Sequence, residues 1–302
     1  MSSTVLYGVP NPGLLEVPAG AAQVSPLVPG SADLAEVAEG SLDAAFVLAP
    51  AGTLERDYTL ALALRALKPG GALTGFAPKD KGGARLRKAL EGFGCAVIEE
   101  ARKHHRFCRA NRPGAVTGLE AAITAGAPRI VPDLGLWTQP GVFSWDRIDP
   151  GSAALISAMP RLAGRGVDLG CGVGVLAAHV LGSPAVEALA CLDIDRRAIA
   201  CARRNLGDPR VVLTWADARA PADDPRGLDF VVMNPPFHAA GSEDRGLGVA
   251  FIRAAAARLR KGGVCWLVAN RHLPYEAPLS AAFASFAVQA DVGGYKVIEA
   301  RK

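Results

Sequence analysis

Two distant stretches of this chain follow the same pattern of apolar runs and turns. SLDAAFVLAP, from Ser41, aligns with GLDFVVMNPP, from Gly227, and LRALKPGGALTGFA, from Leu64, aligns with ARLRKGGVCWLVA, from Ala257, at a shared Gly-Gly turn. FGCAVIEEARKHHRFCR, from Phe93, mirrors the two apolar runs that close the chain, FAVQADV and YKVIEAR. Between the first two matches the spacing lengthens by six residues (41 to 227, then 70 to 262), which places an insertion in the second copy after Phe237. A chain that repeats one succession of strand and helix buries each copy's apolar face in its own sheet. Two similar α/β units are therefore expected, the first smaller than the second.

The second copy has the clearer punctuation. Asp149-Pro150 reads as a helix cap followed by proline in the first turn, opening a helix through Met159. Then come the strand GVDLG, the helix VLAAHVL, the strand ALACLDI, the helix RRAIACARRNL, the strand RVVLTWA and the strand DFVVM. The helix GVAFIRAAAARLRK and the strand VCWLVAN follow. Phe230 to Met233 leave no polar face, as a strand buried on both sides of a parallel sheet requires. Gly293-Gly294 is too short a link for anything but an antiparallel pair of closing strands. The expected layout is a degenerate copy over residues 1–112, a Pro- and Gly-rich linker and cofactor-covering segment over 113–150, and a catalytic domain over 151–302.

Composition narrows the class. Half of the 302 residues are hydrophobic and 21% charged, enough for two cores, and no window approaches the ~18 unbroken apolar residues of a membrane span. The start, MSSTVLYGVPNPG, has no basic-then-apolar signal pattern, and the six cysteines form no CxxC pair, so a cytoplasmic protein with reduced thiols is expected. Five histidines share no ligand spacing with them, so no metal is expected. The net charge of +4 is uneven: Lys79 to Arg112 holds ten Lys/Arg against four Asp/Glu. That segment could contact phosphates or could be an ordinary solvated helix and hairpin.

Chemistry-bearing residues gather in the second copy. VDLGCGVG sets Gly170, Gly172 and Gly174 between a strand and a helix, where a tight turn needs positive φ and the backbone must approach a ligand. Asp193 ends the next strand, where a carboxylate can take ribose hydroxyls. The pattern is GxGxG preceded by Asp168, not the GxGxxG that aims a helix at a pyrophosphate, and an acid there suits an ammonium rather than phosphates. Asp217, after the third strand, is placed to accept from an adenine amino group. The ordered set fits S-adenosyl-L-methionine. In NPPF, the Asn234 side-chain oxygen and the Pro235 carbonyl can accept from the two hydrogens of a planar amine, and Phe237 can stack on its ring. That arrangement orients a delocalised nitrogen for in-line attack without a metal. The first copy has VLYGVPNPG and Leu48-Ala49-Pro50 at the matching places, so it is expected to bind no cofactor.

In this order and spacing, VDLGCGVG, LDID, ADA and NPPF resemble the class I methyltransferases that modify exocyclic or amide nitrogens. GVFSWDRIDPGSAALI, NPPFH and VANRHLPYE resemble more narrowly the bacterial ribosomal RNA guanine-N2 methyltransferases of the small-subunit RsmC type. The resemblance covers roughly Val142 to Lys302. It implies a Rossmann-like sheet with an antiparallel C-terminal strand, a first domain that is a degenerate copy of the same fold, S-adenosylmethionine as cofactor, and ribosomal RNA or a ribosomal subunit as partner of a monomer. The methylated atom would be guanine N2, with His238, Arg271, His272 and Tyr275 as candidate substrate contacts on the arrival face. NPPF alone also fits a release-factor glutamine methyltransferase. A non-catalytic cofactor-binding assembly factor is the reading from a different class.

Overall fold

A computed structural model of the chain describes residues 3–220, 225–236, 238–239, 242–243 and 245–302. It divides into two compact units, Met1–Pro128 with Gln139–Gly141, and Arg129–Thr138 with Val142–Lys302.

The first unit runs β1 (Thr4–Tyr7), β2 (Ala22–Gln23), β3 (Leu42–Leu48), α1 (Thr53–Ala66), β4 (Leu67–Pro78), α2 (Ala84–Gly92), β5 (Ile98–Arg102), β6 (His105–Asn111) and α3 (Leu119–Gly126). Its sheet has the order β2-β1-β3-β4-β6-β5, parallel as far as β4 and antiparallel at β6. Leu60 to Leu64 of α1 are all buried, so this helix is enclosed rather than amphipathic.

The second unit opens with a hairpin of β7 (Arg129–Val131) and β8 (Leu136–Thr138) that the sequence reading did not anticipate. It continues with α4 (Pro150–Ala158), β9 (Gly164–Leu169), α5 (Val175–Leu181), β10 (Val186–Asp193), α6 (Arg196–Asn205), β11 (Val211–Trp215) and β12 (Leu228–Met233). Then follow β13 (His238–Ala239), β14 (Ser242–Glu243), α7 (Arg245–Arg258), β15 (Leu259–Asn270), α8 (Glu276–Ala282), β16 (Ser285–Val292) and β17 (Tyr295–Arg301). The sheet order is β11-β10-β9-β12-β15-β17-β16, with β17 antiparallel to both neighbours. Phe230 to Met233 are buried as expected of a central strand.

The repeat is visible at the level of register. Val5 faces Ala45 as Val167 faces Val231. The pairing of β3 with β4 slips between Leu42 and Ala44, and that of β12 with β15 slips between Leu228 and Phe230. Gly70 and Gly262 both have φ of +79°. Gly70 N–H donates to Arg112 and Arg112 N–H to Gly71, while Gly262 donates to Lys302 and Lys302 to Gly263. At Gly71 and Gly263 a Cβ would sit 2.9 Å from a backbone carbonyl, which keeps both copies glycine there. Among the described residues the first sheet lacks a counterpart of β11 and is one strand smaller.

Residues 113–150 do not form a separate linker. The segment through Pro128, with α3, packs into the first unit, whereas β7, β8 and the residues from Val142 pack into the second. The basic segment is also internally engaged. Arg87 pairs with Glu91 at 2.8 Å, Arg106 with Glu99 at 3.3 Å and Arg109 with Glu100 at 3.0 Å. Arg102, Lys103 and Arg112 donate to the carbonyls of Leu14, Gly13 and Leu64 at 2.8, 2.6 and 2.8 Å. Several of its cations therefore hold a hairpin and the turn at residues 13–14 in place. Among the described residues, no helix is long and apolar enough to cross a membrane, and no cluster of His, Cys, Asp and Glu could hold a metal ion.

Candidate active site

β9 ends in the glycine loop, and each glycine has a separate reason. Gly170, Gly172 and Gly174 have φ of +76°, +54° and +95°, values that L side chains rarely adopt. A Cβ on Gly174 would lie 2.8 Å from the tip of the Leu206 side chain, which would have to shift, in addition to the strain of its positive φ. A Cβ on Gly172 would meet nothing within 4 Å: this turn faces open space, as a ligand cradle must. The loop hangs from the neighbouring strand through the Gly170 and Cys171 N–H groups, both donated to the Leu192 carbonyl at 2.8 and 3.0 Å.

Two carboxylates flank the loop in different states. Asp193 accepts from Gly172 N–H and Asp195 N–H, each at 2.8 Å, so it anchors the loop from below. Burial pushes its pKa up to about 6 against these two bonds. Asp168 is fully buried on β9; neither oxygen makes a close hydrogen bond among the described residues, although the backbone N–H of Ala177 in α5 lies near enough to offset part of its burial. Burial, and then the charge of Asp193, raise its pKa to about 8. A buried acid without a close donor is costly in either protonation state, and it fits a ligand that brings its own cation.

Asn234 follows β12, half-buried at the opposite wall. Its Nδ2 donates to Asp149 Oδ2 at 2.8 Å and to Ser152 Oγ at 3.0 Å, which leaves Oδ1 as the acceptor end of the amide. Asp149 caps α4 as the sequence indicated, with Oδ2 accepting from Ser152 N–H at 2.8 Å. Phe143, Asp149, Ser152, Gly172, Leu176 and Asn234 line one cavity above the loop. The involvement of Ser152 escaped the sequence reading, because its contact with Asn234 spans 82 residues.

The other candidates divide. Pro235 is buried directly after Asn234. Asp217 sits after β11 as expected, but both its oxygens already hold the Arg219 guanidinium, Oδ2 to Nη2 at 2.6 Å, and this pairing lowers its pKa. Tyr275 does not face an arriving substrate. It is 2% exposed within the core, so close to α7 that a Cβ on Gly248 would lie 1.8 Å from its hydroxyl oxygen. Arg271 is exposed and paired with Asp291 on β16, its Nε at 2.7 Å from Oδ1, and His272 is exposed. Phe237 and the side chain of His238 lie outside the described residues.

In the first unit the shared registers put Leu6 where Asp168 stands, Ser25 where Asp193 stands and Leu48 where Asn234 stands. Leu48 packs on the turn at Gly8, where a Cβ would lie 2.7 Å from its own, and joins an apolar cluster with Leu14, Phe76 and Phe107.

Comparison with known proteins agrees with this geometry. Residues 133–299 match the family model of the methyltransferase small domain. Ribosomal RNA small subunit methyltransferase C of Shewanella loihica is 31% identical over 283 residues, spanning 87% of this chain and 78% of the relative. The chain belongs to this family. The enzyme of the same description from Shewanella sp. (strain MR-4) is 34% identical over 157 residues, 52% of this chain, and that match spans about half of the relative's length, 46%. Among solved structures, the T. thermophilus 16S rRNA N2 G1207 methyltransferase (RsmC), in complex with AdoMet and guanosine, superposes with a TM-score of 0.78 at 25% identity. It covers 100% of this chain and 88% of its own. The likeness extends over both units.

Proposed function

We propose that this protein transfers a methyl group from S-adenosylmethionine to the exocyclic N2 amine of a guanine in small-subunit ribosomal RNA. The observation that carries this reading is the Asn234 amide at the cavity wall, whose nitrogen is engaged by Asp149 and Ser152 so that its oxygen is the end left to accept. The relatives described as small-subunit RNA methyltransferases supply the substrate class, and the T. thermophilus protein solved with guanosine supplies the base.

S-adenosylmethionine would rest on the glycine loop and supply an electrophilic methyl group. Asp168 would hold its ammonium, Asp193 its ribose hydroxyls, and the loop after β11 would border its adenine. Asn234 Oδ1 and the Pro235 carbonyl would each accept from one hydrogen of the amine, which aims the nitrogen lone pair away from the purine ring and along the line of attack. Phe237 would stack on the extruded base. The amine's proton becomes acidic only after transfer and leaves to water, so no dedicated base is required. The protein would act in the cytoplasm as a monomer on a ribosomal subunit.

The test is product identity. Purified protein, labelled S-adenosylmethionine and small ribosomal subunits should yield N2-methylguanosine on complete digestion of the RNA. Label in N6-methyladenosine, or in the glutamine of a release factor supplied in place of the subunits, would replace this reading, and cofactor binding without any transfer would leave only an assembly role.

A further inference from the structure

The Asn234 amide can face the cavity in two ways that differ little in shape, and only one of them accepts from an amine. An amide presents an oxygen at one end and two N–H donors at the other. Turned over, Asn234 would set its donors against the hydrogens of the incoming amine. Its orientation is therefore a catalytic variable, and the structure contains a device that sets it. We infer that Asp149, assisted by Ser152, is a positioning residue that fixes which end of the Asn234 amide meets the acceptor; this rests on the function proposed above.

Three observations support it. The first is chemical: an ionised carboxylate is acceptor-only, so Asp149 Oδ2, 2.8 Å from Asn234 Nδ2, admits the nitrogen end and repels the oxygen end. A hydroxyl alone could not discriminate, because the Ser152 Oγ at 3.0 Å can donate or accept. The second is that the carboxylate cannot swing away. The same Oδ2 accepts from Ser152 N–H at 2.8 Å at the start of α4, where the helix end also favours a negative charge. The third is steric. A Cβ at position 151 would sit 2.9 Å from Asp149 Oδ2 and 3.0 Å from the Tyr295 ring, so Gly151 leaves the room in which the carboxylate lies. A cap serving α4 alone would need none of this reach across 85 residues to Asn234.

The cap and the positioning role separate in two variants. Serine is as good an N-cap as aspartate, but it is too short and too ambivalent to orient Asn234. Asparagine can place its own oxygen where Oδ2 lies and keep both bonds. The measurements are kcat and KM with small ribosomal subunits, cofactor Kd by calorimetry, and Tm. Asp149→Ser should hold Tm within a few degrees while kcat, measured at saturating cofactor, falls about 100-fold, the scale of a misaligned reacting group. Asp149→Asn should restore kcat to within about fivefold of the parent. Wild-type kcat in Asp149→Ser, or an Asp149→Asn as slow as Asp149→Ser, overturns the inference. If Asp149→Ser proves unstable, Ser152→Ala removes the other acceptor without touching the cap side chain, and a kcat loss at unchanged KM is then required. A parent protein that methylates something other than guanine counts against the proposed function alone, because the serine and asparagine variants can be compared on any amine acceptor.

Discussion

With Asp168 assigned to the cofactor's ammonium, as proposed above, cofactor binding should be a proton-coupled event. Asp168 is buried with no close hydrogen bond among the described residues, and burial together with the charge of Asp193 raises its pKa to about 8 against a weak contribution from the Ala177 N–H. At pH 6 to 7.5 the free protein therefore carries Asp168 protonated, while the ammonium of S-adenosylmethionine, like an α-amino group with a pKa of about 7.7–8.0, is still charged. Pairing the two requires the proton to leave, so affinity should rise about tenfold per pH unit, since one unit of pKa is about 1.4 kcal/mol. Because both groups titrate near 8 the slope flattens towards pH 7.5, and the gain over that range is about 15- to 20-fold, or about 1.7 kcal/mol. Asp193, raised to about 6, steepens the slope only near and below that pH. The assay is titration calorimetry across the range in buffers of different ionisation enthalpy, which also counts released protons. Methylthioadenosine, which lacks the amino-acid end, is the control and should show almost no slope. Asp168→Asn should flatten the slope for the full cofactor and weaken binding at pH 7.5 by at least about 100-fold, as expected when one partner of a buried ion pair is removed. A wild-type affinity constant within twofold from pH 6 to 7.5, with no proton released, would refute the assignment of Asp168 to the ammonium.

The same shift has a consequence for the free protein. Its pKa is higher folded than the ordinary 3.8, so the native state holds a proton that the unfolded chain has lost. This contribution to stability is full below about 3.8 and declines as pH rises towards about 8; bound cofactor should relieve the decline, which melting curves with and without it will show. Asn234→Ala should cut kcat at least about 100-fold and leave cofactor affinity within a few-fold if, as proposed, the amide serves the acceptor amine; equal losses in both would move Asn234 into the cofactor contacts. Tyr275→Ala should lower stability by about 3 kcal/mol through the cavity it leaves, whereas Tyr275→Phe should leave KM for RNA unchanged; a raised KM in Tyr275→Phe would return the ring to the substrate face. Calorimetry should find one cofactor site per chain, given Leu6, Ser25 and Leu48 in the first unit; a second site would contradict the reading of that unit as a filled pocket.

Local and periodic features were legible in the sequence. The glycine loop, the buried β12, the Asp149 cap and the closing antiparallel strands rest on residues adjacent in the chain or on simple alternation. The repeat was legible down to the Gly70 and Gly262 turns, because positive φ and a crowded Cβ leave glycine as the residue that fits. Contacts across the chain were hidden. Tyr275, after a proline, looked like a substrate contact, and only tertiary packing on α7 shows it to be core. Arg271 looked free until Asp291, 20 residues on, was seen beside it. Asp217 was a nearer miss, since an arginine two residues later is well placed to occupy a carboxylate. The Asn234–Asp149 bond had no local signal: each residue had a sufficient role alone, one in NPPF and the other as a cap.

Ribosomal RNA from cells with and without this protein tests the central claim most directly. Digestion and mass spectrometry, with the position mapped by primer extension, should show one guanine of the small-subunit RNA carrying N2-methylation in the parent and none in the deletion. The wild-type chain should restore it and Asn234→Ala should not. An unchanged set of N2-methylguanosines in the deletion, or restoration by Asn234→Ala, would contradict the account.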